Sequence, residues 1–181
     1  KFSDKSYASR IANFFLSESL KNGYTTSSVF CTTHPQSVDA FFSEADKLGL
    51  RMIAGKVLMD RNAPENLLDT AQSSYDQSKE LIDKWHNKNR ALYAITPRFA
   101  PTSTPAQLEV AGTLYKEVDG VYVQSHVAEN VDEISWVGEL FQQSTSYLDV
   151  YNQFGLLGPR TLYGHGIYFS DADIEMVKNT D

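Results

Sequence analysis

The sequence predicts an α/β fold built on parallel strands. Short β-branched and aromatic runs alternate with longer amphipathic segments along all 181 residues. This alternation indicates crossover connections, because a tight turn cannot join two parallel strands. No low-complexity segment and no linker rich in Pro, Gly and Ser divides the chain, so the sequence predicts a single domain over residues 1–181.

Five runs are predicted to be strands. Each is rich in β-branched or aromatic residues and stops at a polar or turn-forming residue. In chain order they are SSVFCTTH (27–34), LRMIAGKVLMD (50–60), LYAIT (92–96), VYVQSH (121–126) and RTLYGHG (160–166).

Seven segments between and around the strands have the pattern of helices. Pro35 suits the first turn of the second helix, and Gly23 and Gly49 suit the ends of the first two. Thr104 followed by Gln107 predicts a capping box at the start of the fourth. The helical segments are 7–23, 35–49, 67–89, 104–118, 130–143, 147–155 and 170–179.

The composition excludes several classes of partner. The formal net charge of −7 is spread along the chain, which argues against binding to nucleic acid. No apolar run approaches the roughly 20 residues that span a bilayer, so no membrane partner is expected. Cys31 is the only cysteine, which rules out an intramolecular disulfide and fits a reducing compartment. We therefore interpret the protein as cytoplasmic.

Polar residues follow the predicted strands at the point where each strand ends. In parallel α/β sheets, ligand chemistry collects at the carboxyl ends of the strands, because loops there bring side chains from several strands together. The candidate site residues are His34, Asp60, Arg98, His126 with Glu129, and His165.

Each candidate also has a structural interpretation. Glu129 precedes a helix and could simply favour its positive end. His165 lies between two glycines and could be a turn histidine, and Arg98 could be a surface residue. The coincidence of these residues at matching ends of nearby strands favours a functional site.

His126 and Glu129 suggest the chemistry of this edge. Imidazole on a strand end is a common ligand of zinc or iron. A carboxylate three residues later could take a proton from water on the metal without occupying the metal itself. The spacing therefore favours metal-assisted hydrolysis.

Four segments carry a resemblance to a known family. MDRNAP, AITPRFAPTS, QSHVAENVDEI and YGHGIYFS, in this order, closely resemble the guanine deaminases of the amidohydrolase superfamily, bacterial type. The resemblance extends from about residue 24 to the end of the chain. It implies a metal-dependent (β/α)₈ barrel, a hydrolase that acts on the C–N bond of a cyclic amidine and converts guanine and water to xanthine and ammonia.

The resemblance also implies a role for each candidate. His126 would be a metal ligand, and His165 would contact the metal or its water. Glu129 would carry a proton from that water to the purine ring. Arg98 would hydrogen-bond the purine oxygen, and Phe99 would pack beside the base. The expected cofactor is one zinc or iron ion in each complete site.

The sequence departs from the family pattern in its metal ligands and its strand number. The family needs a His-x-His pair on the first barrel strand and an aspartate on the eighth, and this chain contains no His-x-His. Five predicted strands compare with eight units and about 250 residues in a full barrel. The resemblance therefore implies the middle of such a barrel, without its first strand and its last two.

Three expectations follow for the chain as given. It begins at Lys1 with a helix under way soon after, so we expect it to be cut from a longer protein. Two imidazoles alone should hold metal weakly, so we expect no tightly held ion and no activity in the isolated chain. Open sheet edges invite pairing with another chain, so we expect a homo-oligomer.

Other interpretations remain open. A related amidohydrolase could act on another purine, a pyrimidine or a triazine ring. A module that keeps the arc of strands for binding or assembly would suit the missing His-x-His pair. A complete five-stranded, doubly wound binding domain is a further alternative.

Overall fold

The computed structural model describes residues 1–180. At its centre is a parallel sheet with the strands β1 (Thr26–Phe30), β2 (Arg51–Gly55), β3 (Val57–Leu58), β4 (Ala91–Pro97), β5 (Tyr122–Val127) and β6 (Thr161–His165). Strands β1, β2, β4, β5 and β6 follow one another across the sheet, and β3 lies beside β4. Every pair is parallel. The five predicted strands are confirmed, with β2 and β3 together forming the second.

The seven predicted helices are also confirmed. They are α1 (Lys5–Lys21), α2 (Pro35–Lys47), α3 (Ala71–Trp85), α4 (Pro105–Glu117), α5 (Val131–Leu140), α6 (Tyr147–Gln153) and α7 (Asp171–Lys178). Two 3₁₀ turns lie at Glu65–Leu67 and Ala100–Thr102. None of the helices within residues 1–180 combines the length and the apolar character that crossing a membrane requires.

A buried lysine interrupts the second predicted strand. The backbone N–H of Lys56 donates to the hydroxyl of Tyr93, although β3 resumes the register with β4 that β2 begins. The Lys56 side chain is fully buried and forms an ion pair with Asp69. Burial lowers the pKa of Lys56, and the charge and hydrogen bond of Asp69 oppose that shift. The pair ties the segment after β3 to the outer face of the sheet.

The predicted capping box at α4 is wrong in one half. The Thr104 hydroxyl accepts a hydrogen bond from the Gln107 backbone N–H at 3.3 Å, as predicted. The Gln107 side chain, however, donates to Asp69 at 2.7 Å and to Ser74 at 2.8 Å. The Gln107 side chain thus joins a buried polar cluster of Lys56, Asp69 and Ser74. An unpaired carboxylate or hydroxyl in this cluster would destabilise the fold.

The sheet is strongly curved. The Ser28 hydroxyl on β1 donates to the side-chain oxygen of Gln124 on β5 at 2.6 Å. The Gln124 amide nitrogen also donates to the carbonyl of Val29 at 3.0 Å and to the Thr96 hydroxyl at 3.1 Å. Strands β1 and β5 are not neighbours in the sheet, so these bonds cross the concave face. The sheet is therefore an arc of a (β/α)-type barrel, as the resemblance implied.

The helices cover the convex face and form the core with it. The strand residues that enter this core are buried and alternate along each strand, as parallel strands under helices require. They include Met52, Ala54, Tyr93, Ile95, Val123 and Val127. Strands β1 and β6 each lack a second strand partner within residues 1–180, so the sheet is an open arc. Because all pairs are parallel, the carboxyl ends of the strands lie at one edge of this arc.

Gly55 permits the close approach of β2 and β4. A Cβ atom at this position would overlap the carbonyl oxygen of Ala94 and lie 2.9 Å from the Thr96 hydroxyl oxygen. We expect Gly55→Ala to lower the free energy of unfolding by about 1–3 kcal/mol, because the backbone must move. Gly138→Ala is the control, since its Cβ would meet no atom within 4 Å. Urea unfolding of both variants measures the difference, and equal stability of Gly55→Ala and the parent would contradict this packing.

Candidate functional site

Four of the predicted site residues meet at the carboxyl ends of β4, β5 and β6. Arg98 follows β4, His126 is in β5, and His165 ends β6. A bridge between Phe99 and His126 continues the pairing of β4 with β5 beyond the end of β4. Glu129 lies in the loop after β5, next to His165. The parallel register therefore brings these side chains to one edge, as the sequence predicted.

The carbonyl oxygen of Arg98 fixes the orientation of the His126 ring. It accepts hydrogen bonds from the His126 backbone N–H at 3.2 Å and from His126 Nδ1 at 2.6 Å. A carbonyl can only accept, so Nδ1 carries a proton. In the neutral ring Nε2 then keeps its lone pair, which is the arrangement that metal-binding histidines use.

A left-handed backbone turns His165 towards His126. His165 pairs with Val127, whose side chain is buried in the core on the convex face, and regular alternation would place His165 there too. Instead His165 has a φ of +75°, and its ring stacks on that of His126 with centroids 5.6 Å apart. A positive φ is uncommon outside glycine and marks a constrained position.

Glu129 is available to the site because another residue caps helix α5. The Asn130 side chain accepts from the Glu133 backbone N–H at 2.9 Å and serves as the N-cap. The Glu129 carboxylate lies 3.6 Å from His165 Nε2, and half of its side-chain surface is exposed. Glu129 therefore reaches solvent and the His165 imidazole at the same time.

A cleft of about 360 Å³ opens beside His126. The Phe30 ring packs 4.4 Å from the His126 ring, and the Arg98 guanidinium lies 4.8 Å from the centre of the Phe99 ring. The residues that line the cleft are mainly apolar and include Phe30, Val57, Met59, Leu67, Arg98 and His126. An apolar cleft with few polar groups suits a flat, small ligand.

Asp60, another candidate, has a structural role. The Asp60 carboxylate accepts from the backbone N–H of Thr104 at 2.7 Å and also bonds the Thr104 hydroxyl, so Asp60 supports the start of α4. His34 is the N-cap residue of α2 and makes no side-chain cap bond. Burial lowers the pKa of His34, and the positive charges of the N-terminus and Lys56 add to that effect.

The donor set fits part of a metal centre. Within residues 1–180, no group of three or more His, Cys, Asp and Glu side chains is arranged to hold a metal ion. His126, with Nδ1 committed to a carbonyl, and the adjacent His165 ring offer two imidazoles. Zinc sites in proteins use three or four protein ligands, so these residues fit two positions of such a centre.

Tyr151 is a site-supporting residue that the sequence did not indicate. It lies on α6, is fully buried, and bonds the backbone of both Ala100 and His126. An aromatic residue on a helix is typical of a core position and gives no sign of a role at a site. No pattern in the sequence identifies the partners of its hydroxyl, because they belong to distant segments.

Comparisons with a family model and with known proteins indicate the same family. The model of the Amidohydrolase family matches residues 3–180. The guanine deaminase of Escherichia coli (strain K12) is 50% identical over 180 residues, which are 99% of this chain and 41% of that protein. The probable guanine deaminase of Deinococcus radiodurans is 36% identical over 174 residues, which are 96% of this chain and 40% of that protein. This chain thus spans about two fifths of the length of these relatives.

Solved structures agree with the sequence matches. The structure of E. coli guanine deaminase has a TM-score of 0.97 at 51% identity, over 98% of this chain and 41% of that one. Guanine deaminase from C. acetobutylicum, solved with guanine bound in its active site, has a TM-score of 0.93 at 34% identity. That match covers 99% of this chain and 43% of the other.

Proposed function

The chain belongs to the amidohydrolase family, and from this premise we propose that the full-length protein is a metal-dependent guanine deaminase. It would hydrolyse guanine with one water to xanthine and ammonia, and this chain would supply the middle of its barrel. The observation that carries the proposal is the meeting of four residues at one edge of the sheet. Arg98 and His126 line the cleft, the His165 ring stacks on His126, and Glu129 lies beside His165. The 50% identity to the E. coli enzyme supports guanine as the substrate.

His126 and His165 would hold the metal, which we propose to be zinc or iron. The hydrogen bond from His126 Nδ1 to the Arg98 carbonyl keeps Nε2 free for this role. A bound ion of this kind supplies Lewis acidity, which makes water nucleophilic near neutral pH. Since this chain offers two of the ligands, we propose that the remaining ligands come from other parts of the full-length protein.

Glu129 is the proposed proton carrier. Deamination requires that water lose protons while the ring nitrogen and the departing amine gain them. A carboxylate that is half exposed and 3.6 Å from His165 can accept a proton from water and pass it to a purine in the cleft.

Arg98 is the residue that we propose to recognise the base. Its guanidinium has only donors, which match the ring oxygen of guanine. Adenine presents an amino group in that place, so the pairing with Arg98 would be lost. The Phe99 ring, 4.8 Å from the guanidinium carbon, would restrict the arginine and pack beside the base.

The partners proposed for the protein follow from its charge and its sheet edges. We propose guanine as a small-molecule partner, no nucleic acid or membrane, and a cytoplasmic location. The formal charge of −7 and the lone Cys31 support these assignments. In the isolated chain β1 and β6 each have a single strand partner, and we propose that this chain forms a homo-oligomer through these edges.

Replacing Glu129 tests the proton step. Glu129→Gln keeps the shape of the side chain and removes the base, so turnover of guanine by the full-length protein should fall at least about 10²-fold. Steady-state absorbance assays of xanthine formation measure it. Glu139→Gln, which removes an exposed carboxylate from α5, is the control and should keep its activity. Near-normal turnover by Glu129→Gln would refute the role of Glu129.

Replacing Arg98 tests base selection. The full-length protein should strongly prefer guanine to adenine, and Arg98→Ala should abolish most of that preference, because the ring oxygen loses its donor. The comparison uses kcat/KM for both bases. Arg90→Ala, at the opposite end of β4, is the matched control. Comparable rates for the two bases in the unmodified protein would exclude a selecting arginine.

The isolated 181-residue chain tests the incomplete donor set. Two imidazoles should not retain a stoichiometric ion, so we expect less than one zinc or iron per chain after dialysis and no guanine turnover. We also expect self-association through open edges in light scattering. One firmly held ion per chain together with turnover would mean that this chain completes the centre by itself.

A further inference from the structure

The hydroxyl of Tyr151 lies at the junction between the two segments that carry the site. It is 3.0 Å from the backbone nitrogen of Ala100, in the loop after β4. It is 2.8 Å from the Ser125 hydroxyl and 2.8 Å from the carbonyl oxygen of His126, both in β5. One side chain from α6 therefore contacts the ends of two strands.

Hydrogen counting assigns a direction to each of these bonds. The Ala100 N–H can only donate and the His126 carbonyl can only accept. The single hydrogen of the Tyr151 hydroxyl therefore goes to the His126 carbonyl. The Ser125 hydroxyl lies 2.8 Å from the Tyr151 oxygen and 3.4 Å from the Arg98 carbonyl, and it donates to the nearer of the two. All three groups are satisfied without water, in a region where Ala100, Ser125 and Tyr151 are fully buried.

The surroundings hold this hydroxyl in place. The Tyr151 ring packs against Tyr163 with centroids 4.9 Å apart and against Tyr147 with centroids 5.9 Å apart. Burial raises the pKa of Tyr151, so the hydroxyl keeps its proton and remains a donor. The hydroxyl therefore fixes the loop after β4 and the end of β5 relative to α6.

We propose that Tyr151 is a positioning residue that holds the loop after β4 against the end of β5 and so maintains the direct bonds between His126 and the Arg98 carbonyl. Arg98 lies two residues before Ala100, and the bonded carbonyl belongs to His126 itself. The proposal rests on the proposed function, in which Arg98 holds the base and His126 lies at the reacting centre. A shift of about 1 Å between such groups can lower turnover about 100-fold.

Tyr151→Phe in the full-length protein removes only the hydroxyl. We expect kcat for guanine to fall about 10-fold or more, with KM changed less than about threefold, because the groups remain but are misaligned. Tyr163→Phe is the control for stability, since it loses one buried bond, to the Leu156 carbonyl. Tyr147→Phe is the control for the helix, because it removes a hydroxyl from the ring beside Tyr151 and leaves the Tyr151 bonds to Ala100 and His126 in place. Both controls should keep kcat within about twofold.

Hydrogen exchange of the Ala100 amide provides a readout that needs no activity. This amide should be protected in the unmodified protein and should exchange about 10-fold faster in Tyr151→Phe, but not in Tyr163→Phe. An unprotected amide in the unmodified protein, or equal loss of kcat in Tyr151→Phe and Tyr163→Phe, would overturn the proposal. If the unmodified protein does not deaminate guanine, the proposed function fails, and the exchange result still decides whether Tyr151 holds the two segments.

Discussion

The hydrogen bonds of Gln124 across the concave face are the constraint on which the site depends. In a flat sheet β1 and β5 would be about 14 Å apart, three strand spacings. Ser28 and Gln124 nevertheless bond at 2.6 Å, which requires the sheet to curl. The same curvature brings Phe30 of β1 to within 4.4 Å of the His126 ring. The cleft thus exists because polar side chains inside the arc hold its two sides together.

The backbone then orients the functional side chains. The Arg98 carbonyl accepts from His126 Nδ1, so the strand that presents the arginine also fixes the tautomer of the histidine. The left-handed φ at His165 turns the second imidazole onto the first. These features are local exceptions to regular strand geometry, and such exceptions concentrate where function requires a particular orientation. Main-chain geometry therefore orients the rings of His126 and His165.

The secondary-structure elements and part of the site could be predicted from the sequence. Strand and helix periodicity and polar residues at strand ends are local signals, and they identified the elements and the meeting of Arg98, His126, Glu129 and His165. The orientation of His165 could not be predicted, because nothing in GHG reveals which of its residues adopts a positive φ. Hydrogen bonds between residues distant in the chain could not be predicted either. Asp60, for example, was a candidate for the site, but its carboxylate bonds Thr104 and supports the start of α4.

A crystal structure of the full-length, metal-loaded protein with a guanine analogue that cannot be hydrolysed tests the central claim most directly. The base should lie in the cleft beside Phe30, with its ring oxygen within hydrogen-bond distance of the Arg98 guanidinium. The ring carbon that carries the amine should face His126 and Glu129, and His126 should keep Nδ1 on the Arg98 carbonyl. A base bound elsewhere, or an Arg98 side chain directed away from the ligand, would contradict the proposed site.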